Sequence, residues 1–274
     1  MIYIEDKNFE YKDEMLNELR TYNSKHTGQK DSSIEFFYAL EGEKLVGSLY
    51  TKCFWDWVKF DHMFYENVDV LKKLFSEASQ FYKNKAVGMK YYTAVQSRVE
   101  DFQSIGFEIA GITENTPKTS KYFYLKNTDF NIKSHAETEI IVRHEIIDQY
   151  HTILLEQEET FNQENKIYPL EENHMMFVAL DDNQFVGAVH GTITEDSMYI
   201  GWLVVKEKYK GQGIGSNLMQ KMEKVAKEQN IYSIHLGTTG FQARKFYEKL
   251  GYKIFLIKEN DPKGYNTYSM AKKL

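Results

Sequence analysis

A long internal repeat runs through the 274 residues of this chain. "FFYALEGEKLVGSLY" from Phe36 and "MFVALDDNQFVGAVH" from Met176 share an aromatic, an Ala-Leu pair, an acidic turn, an apolar-Val-Gly triplet and a small residue. Leu40 answers to Leu180 and Gly47 to Gly187, 140 positions apart in both cases (40 to 180, 47 to 187). Further on, "DFQSIGFEIAGITENTPKTSKYFYLK" from Asp101 answers to "KFYEKLGYKIFLIKENDPKGYNTYSMAKK" from Lys245. Gly106 stands 11 residues before Pro117 and Gly251 stands 11 before Pro262, in a chain with only 3 prolines. The openings also agree: "MIYIED" then "YKDEMLNELRTYN", and "EIIVRHE" then "IIDQYHTILLEQEETFN". Each is a short β-type run followed by a helical pattern. Repetition on this scale means one unit used twice, each copy large enough for its own core. The polar stretch from Lys126 to Glu137 places the boundary, giving expected domains of 1–130 and 131–274.

The second copy is the easier to read. "MMFVAL", an acidic turn and "FVGAVHGTIT" form a hairpin pattern, and "MYIGWLVV" is a third strand. In "IGSNLMQKMEKVAKEQN", Ile214, Leu218, Met222, Val225 and Ala226 fall on one helical stripe. "IYSIHLGT" is a strand, and "FQARKFYEKLGY" is a short helix stopped by Gly251. Two more strands, "YKIFLIKE" and "YNTYSMAKK", flank the "NDPKG" turn. The order β, α, three strands, α, β, α, β, β predicts an α+β fold with a mixed sheet, because a strand–helix–strand crossover joins parallel neighbours.

Between the third strand and the long helix lies "KYKGQGIGSNL", with Gly211, Gly213 and Gly215 in alternate positions. A strand feeding a helix N-terminus through glycines turns several N–H groups on one spot, with the helix dipole behind them. That is a seat for phosphate or pyrophosphate. The spacing fits neither a dinucleotide fingerprint, since Leu218 stands where its third glycine belongs, nor a P-loop, since no Gly-Lys-Ser/Thr follows. Net charge −6 argues against a nucleic-acid partner. Cys53 is the single cysteine, so neither an internal disulfide nor a cysteine metal cluster is available, and "RHEIID" lacks the second histidine of a zinc motif. No metal is expected. The N-terminus has no leader pattern and no apolar run reaches membrane-spanning length, so a cytoplasmic protein without membrane contact, monomer or homodimer, is expected.

The "LVVKEKYKGQGIGSNL" segment joined to "ARKFYEKLGYK" resembles the GNAT superfamily of acyl-CoA N-acyltransferases. The resemblance covers nearly the whole second half and implies two GNAT-like domains in tandem. It implies acetyl-CoA as cosubstrate, with the backbone of Leu203 and Val205 against the pantetheine arm. Lys210, Gly211, Gly213, Ile214, Gly215 and Ser216 would surround the pyrophosphate. Lys210 stands where the family carries Arg or Gln, and Gly240 where it often has Asn. The implied reaction is direct attack of a small-molecule or peptide amine on the thioester. The Val205 N–H would stabilise the oxyanion and Tyr247 would serve as acid toward the departing thiolate. The alternative is a non-catalytic acyl-CoA-binding or regulatory module. His190, Glu195 and His174 are candidate bases without a sequence signal that selects among them. An acyl-enzyme route through Cys53 is not expected, since no base stands near it in the sequence. Acceptor contacts are expected in variable segments such as the one from Asn162.

In the first copy "YENVDVLKKL" lies over "YKGQGIGSNL" when Leu74 is set against Leu218. Asn67, Asp69 and Leu71 then replace the three glycines and Glu66 replaces Lys210. The first copy is expected to keep the fold without the cofactor and could serve as a wall of the acceptor cleft. Gln103 stands near the place of Tyr247. "CFWDWVKF" from Cys53 is equally a candidate contact surface or plain core.

Overall fold

The computed structural model describes residues 1–28, 32–114, 121–133, 140–144, 148–165 and 171–274. Part of the linker, the matched Pro117 and part of the acceptor segment from Asn162 lie outside them. The first repeat runs β1 (Ile2–Glu5), α1 (Lys12–Thr27), β2 (Ser33–Glu41), β3 (Lys44–Phe54), β4 (Trp57–Tyr65), α2 (Val68–Tyr82), β5 (Gly88–Thr93), α3 (Gln96–Ser104), β6 (Glu108–Glu114) and β7 (Lys121–Asn127). The second runs β8 (Ile140–His144), α4 (Asp148–Glu164), β9 (Asn173–Asp181), β10 (Gln184–Thr194), β11 (Ser197–Val205), α5 (Ile214–Glu228), β12 (Ser233–Thr239), α6 (Arg244–Lys249), β13 (Lys253–Lys258) and β14 (Thr267–Lys273). Both follow the order read from the sequence.

Two 7-stranded mixed sheets result, β8-β2-β3-β4-β5-β7-β6 and β1-β9-β10-β11-β12-β14-β13. Read strand for strand they have the same topology, so the repeat in sequence is a repeat in fold. The first strand of each copy, however, sits in the other sheet. β1 pairs antiparallel with β9, Ile2 opposite Leu180, and β8 pairs antiparallel with β2, Phe37 opposite His144. The helices that follow go with them. α1 lays Met15 and Leu19 against Val178, Ala188 and Val204 of the second sheet. α4 brings Glu158 to His62 of β4 and Phe161 to within 4.0 Å of the Arg98 guanidinium carbon. The expected division at 130/131 follows the order of the repeats in the chain, whereas each sheet takes its first β–α unit from the opposite half. No periodicity in β1 or β8 distinguishes the two ladders: either edge offers the same unpaired backbone.

Each sheet is covered by its long helix. Leu74, Phe75 and Ala78 of α2, and Leu218, Met219 and Met222 of α5, are fully buried. The sheets meet near the β6 and β13 edges, where Leu256 packs on Gly111. Trp57 Nε1 donates to Asn260 O at 2.8 Å and Lys90 pairs with Asp261 at 2.6 Å. The first copy's tryptophan strand thus serves both alternatives: Trp57 is buried in the first copy's core and also donates across the junction. Trp55 reaches Phe241 at 6.3 Å between ring centroids.

Candidate active site

The second sheet opens where its two central strands part. β11 and β12 run parallel from Ser197 opposite Ser233 to Ile200 opposite Leu236, and their pairing ends there. In the β10–β11 ladder Gly191 faces Ile200 and His190 faces Trp202, so Gly201 is an extra, unopposed residue at that level. A bulge of this kind bends the strand. The Lys206 N–H bonds to Val186 O of β10. Because peptide groups alternate along a strand, those of Leu203 and Val205 then point away from β10, into the gap that β12 has left. The two residues assigned to the pantetheine arm thus present unpaired backbone to a cleft.

The glycine loop closes one end of this cleft. Gly211 and Gly213 have φ of 78° and 80°, the left-handed region that glycine enters without strain. A Cβ on either would meet no atom within 4 Å, so the backbone here faces open space. Gly213 is the N-cap of α5 and has no side chain to cap it. Among the described residues the N–H groups of Gly211, Gln212 and Gly213 make no backbone hydrogen bond, and the first helical turn has no internal acceptors for its own. The cluster of free donors expected from the sequence is present. Gly215 differs: a Cβ there would make ordinary contact with Phe246 at 3.4 Å, so this position faces α6 and not open space. Ile214 is 3 % exposed, its side chain in the core, and only its backbone faces the loop. Ser216 is half-buried in the first turn. Lys210 bonds Glu207 at 2.7 Å, with its ammonium 4.4 Å from the Tyr22 ring centre. That cation is already engaged beside the loop. The Gly240 N–H bonds Asn266 O at 2.8 Å.

Tyr247 comes from α6 and is 7 % exposed, packed near Phe246 and Tyr252. No hydrogen bond to its hydroxyl is present among the described residues. Burial, reinforced by Tyr199, raises its pKa, so the phenol keeps its proton at neutral pH. On the other face, α1 spans the mouth of the cleft. Tyr22 donates to Phe241 O at 2.8 Å beyond the end of β12, Asn23 accepts from Gln242, and Glu14 pairs with Lys206 beyond the end of β11. The exchanged β1–α1 unit is therefore a wall of the second copy's cleft, a role that the sequence pattern assigns to the first copy without naming the element.

Of the three candidate bases, His190 and His174 lie together on this face, their ring centroids 5.6 Å apart. Glu195 is exposed in the turn between β10 and β11, at the far end of the strand from the bulge. Cys53 lines a cavity of about 370 Å³ with Glu35, Trp55, Asp56, Tyr82 and Lys85, and nothing lining that cavity belongs to the glycine loop or α6.

The first sheet shows what replaces the loop. Strand positions correspond at an offset of 140 (57 to 197, 65 to 205), but buried helix positions at 144 (74 to 218, 78 to 222). The connection is thus four residues shorter, not only altered in composition as the sequence overlay implied. At the helix offset α2 also starts two residues early, Val68 standing where the second copy has Gln212. Asn67 caps it: its Oδ1 accepts from Asp69 N at 3.0 Å and Val70 N at 3.1 Å. The concavity left beside it is small, about 80 Å³, and lined by Glu41, Glu66 and Asp69. Capped amides and three carboxylates make this a poor place for an anion.

Residues 142–252 match the model of the acetyltransferase (GNAT) family. A Schizosaccharomyces pombe protein named N-alpha-acetyltransferase 30 is 38 % identical over 85 residues, covering 28 % of this chain and 55 % of that one. An uncharacterized Bacillus subtilis protein, YxbD, is 37 % identical over 76 residues, covering 27 % and 46 %. The chain spans about half the length of the curated relatives it matches. Among solved structures, an acetyltransferase from Bacillus cereus aligns with 96 % of its own length and 47 % of this chain, at 26 % identity and a TM-score of 0.42. A Thermoplasma acidophilum N-acetyltransferase in complex with coenzyme A aligns at 20 % identity with a TM-score of 0.33, over 47 % of this chain and 80 % of that one. The second repeat belongs to the GNAT superfamily, set in a chain of two mixed sheets with the same topology.

Proposed function

We propose that the second sheet, completed by the β1–α1 unit, transfers an acetyl group from acetyl-CoA to a primary amine of a small molecule or peptide. The observation that carries this is the pairing of free loop amides at Gly211–Gly213 with the unpaired backbone of Leu203 and Val205 along one cleft. A pyrophosphate needs the first, and an amide-bearing pantetheine arm, lying as an added strand, needs the second. The residues present fit acetyl-CoA, which when bound supplies the activated thioester.

The chain's own groups then do the following. The Val205 N–H faces the gap and is placed to bond the carbonyl oxygen as charge gathers on it. As the C–N bond forms and the C–S bond breaks, the electron pair leaves on sulfur. Tyr247, protonated and without another partner among the described residues, donates a hydrogen bond to that sulfur. Its raised pKa makes it a weaker acid than a thiol, so its role is to stabilise the developing thiolate, which takes up its proton as it departs. α1 shields the opposite face and limits access of water.

The test is acetyl transfer by the full chain. With acetyl-CoA and hydroxylamine, a small nucleophile that needs no dedicated acceptor pocket, acetohydroxamate should form faster than in protein-free controls. A panel of primary amines would then define the acceptor. Tight acetyl-CoA binding with no transfer to hydroxylamine or to any amine would favour a binding module instead.

A further inference from the structure

His190 stands at the level where β11 and β12 separate. The residue is 8 % exposed; its ring lies tilted against Trp202 and Phe9 and stacked on His174, at centroid distances of 4.7, 6.0 and 5.6 Å. Nδ1 is buried and, among the described residues, has no hydrogen-bond partner. An unmet buried nitrogen is rare enough in a folded protein to require an explanation. Its direction supplies one. A Cβ on Gly201 would come within 3.4 Å of Nδ1, so the nitrogen faces the bulged residue, beside which the cleft opens. Glycine at 201 places no side chain between this buried nitrogen and the bulge. Burial, with the His174 imidazole and Lys12 nearby, lowers the pKa of His190 to about 4. The ring is therefore neutral at physiological pH, with a lone pair free on one nitrogen.

Resting on the transfer reading above, we propose that His190 is the proton acceptor of the reaction, taking the proton from the acceptor nitrogen as it bonds to the acetyl carbon. The attacking nitrogen becomes acidic once its lone pair is committed to the C–N bond, so a weakly basic imidazole suffices. The proton passes from nitrogen to Nδ1, the C–S pair leaves on sulfur, and the imidazolium returns its proton to water. Glu195 has no access to this point. His174 is on the same face but exposed, and its Nδ1 is shared with Thr192 Oγ1 at 3.1 Å.

The test compares wild type with His190→Gln and His190→Phe in the full chain. Turnover is followed as acetohydroxamate formed from acetyl-CoA and hydroxylamine, and acetyl-CoA affinity is measured by calorimetry. Both variants should lose about 100-fold in kcat, the lower range for a general base, with affinity changed by less than about twofold. His190→Phe keeps a ring against Trp202 and breaks no hydrogen bond, so a packing role would leave its turnover intact. Retained turnover in either variant would overturn the assignment while the transfer reading stands. An inactive wild type that binds acetyl-CoA would overturn both.

Discussion

Removing one oxygen atom from Tyr247 separates its packing from its chemistry. The ring is 7 % exposed and lies against Phe246 and Tyr252, with centroids 5.1 and 6.0 Å away. The hydroxyl has no hydrogen-bond partner among the described residues, so Tyr247→Phe orphans no neighbour. Its oxygen is not among the buried atoms left unsatisfied, so it keeps access to solvent, and removing a hydroxyl that only water satisfies should change stability by less than about 1 kcal/mol. The urea midpoint of the variant should therefore stay close to that of wild type. Acetyl-CoA affinity should also hold, because the phenol acts on charge that appears only as the C–S bond breaks. Turnover should not hold. A single donor aimed at developing charge contributes about 100-fold, close to 2.7 kcal/mol of barrier. Calorimetry, urea unfolding and acetohydroxamate kinetics on one preparation give the three readings. Unchanged turnover would refute the assigned role, and a large loss of stability would show that the hydroxyl is structural.

Other outcomes follow from the junction and from the first copy. Lys258 lies over the Tyr92 and Tyr124 rings, and burial, with Lys90 nearby, lowers its pKa to about 8 from 10.5. The unfolded chain binds more protons between those values, so wild-type stability should rise with pH across that window. Lys258→Met should stabilise the protein by roughly 1–3 kcal/mol at pH 7, with the advantage vanishing near pH 10.5; thermal melts at the two pH values check it. Asn67→Ala removes the cap of α2 and should cost about 1 kcal/mol in urea unfolding while leaving acetyl-CoA affinity unchanged. His190, with its pKa lowered to about 4 from 6.5, should contribute stability that is complete above pH 6.5 and lost as pH falls toward 4. An NMR titration of its ring should show it neutral at pH 5.5; an ordinary histidine titration would contradict that.

The element order, the mixed character of each sheet and the glycine loop were legible because each rests on local signals. The helical stripe from Ile214 to Ala226 needs one face, the αL stop at Gly251 needs no Cβ, and three glycines before a helix leave few purposes. The exchange of β1 and β8 was not legible. Backbone pairing at a sheet edge is generic, and nothing in "IYIE" or "IIVRH" selects one ladder over the other. For the same reason α1 could not be recognised as a wall of the second cleft, since Tyr22 and Phe241 are joined by a contact across 219 residues. The alternate-position reading of Leu203 and Val205 needed only strand periodicity, whereas preferring His190 over Glu195 required knowing where β11 and β12 part. The overlay of the two loops found the right residues but not the shortened connection, because deletions are invisible until strand and helix registers are both fixed.

The central claim is that the chain has one cofactor seat and that the glycine loop forms it. An acetyl-CoA calorimetric titration of the intact protein beside Gly213→Asp tests it most directly. The variant adds a carboxylate to open space at a left-handed position, at a folding cost of about 1–2 kcal/mol, and places negative charge among the free amides. One site per chain in the wild type, abolished in a folded variant, is the predicted result. Two sites per chain, or an affinity indifferent to the Gly213→Asp substitution, would contradict it.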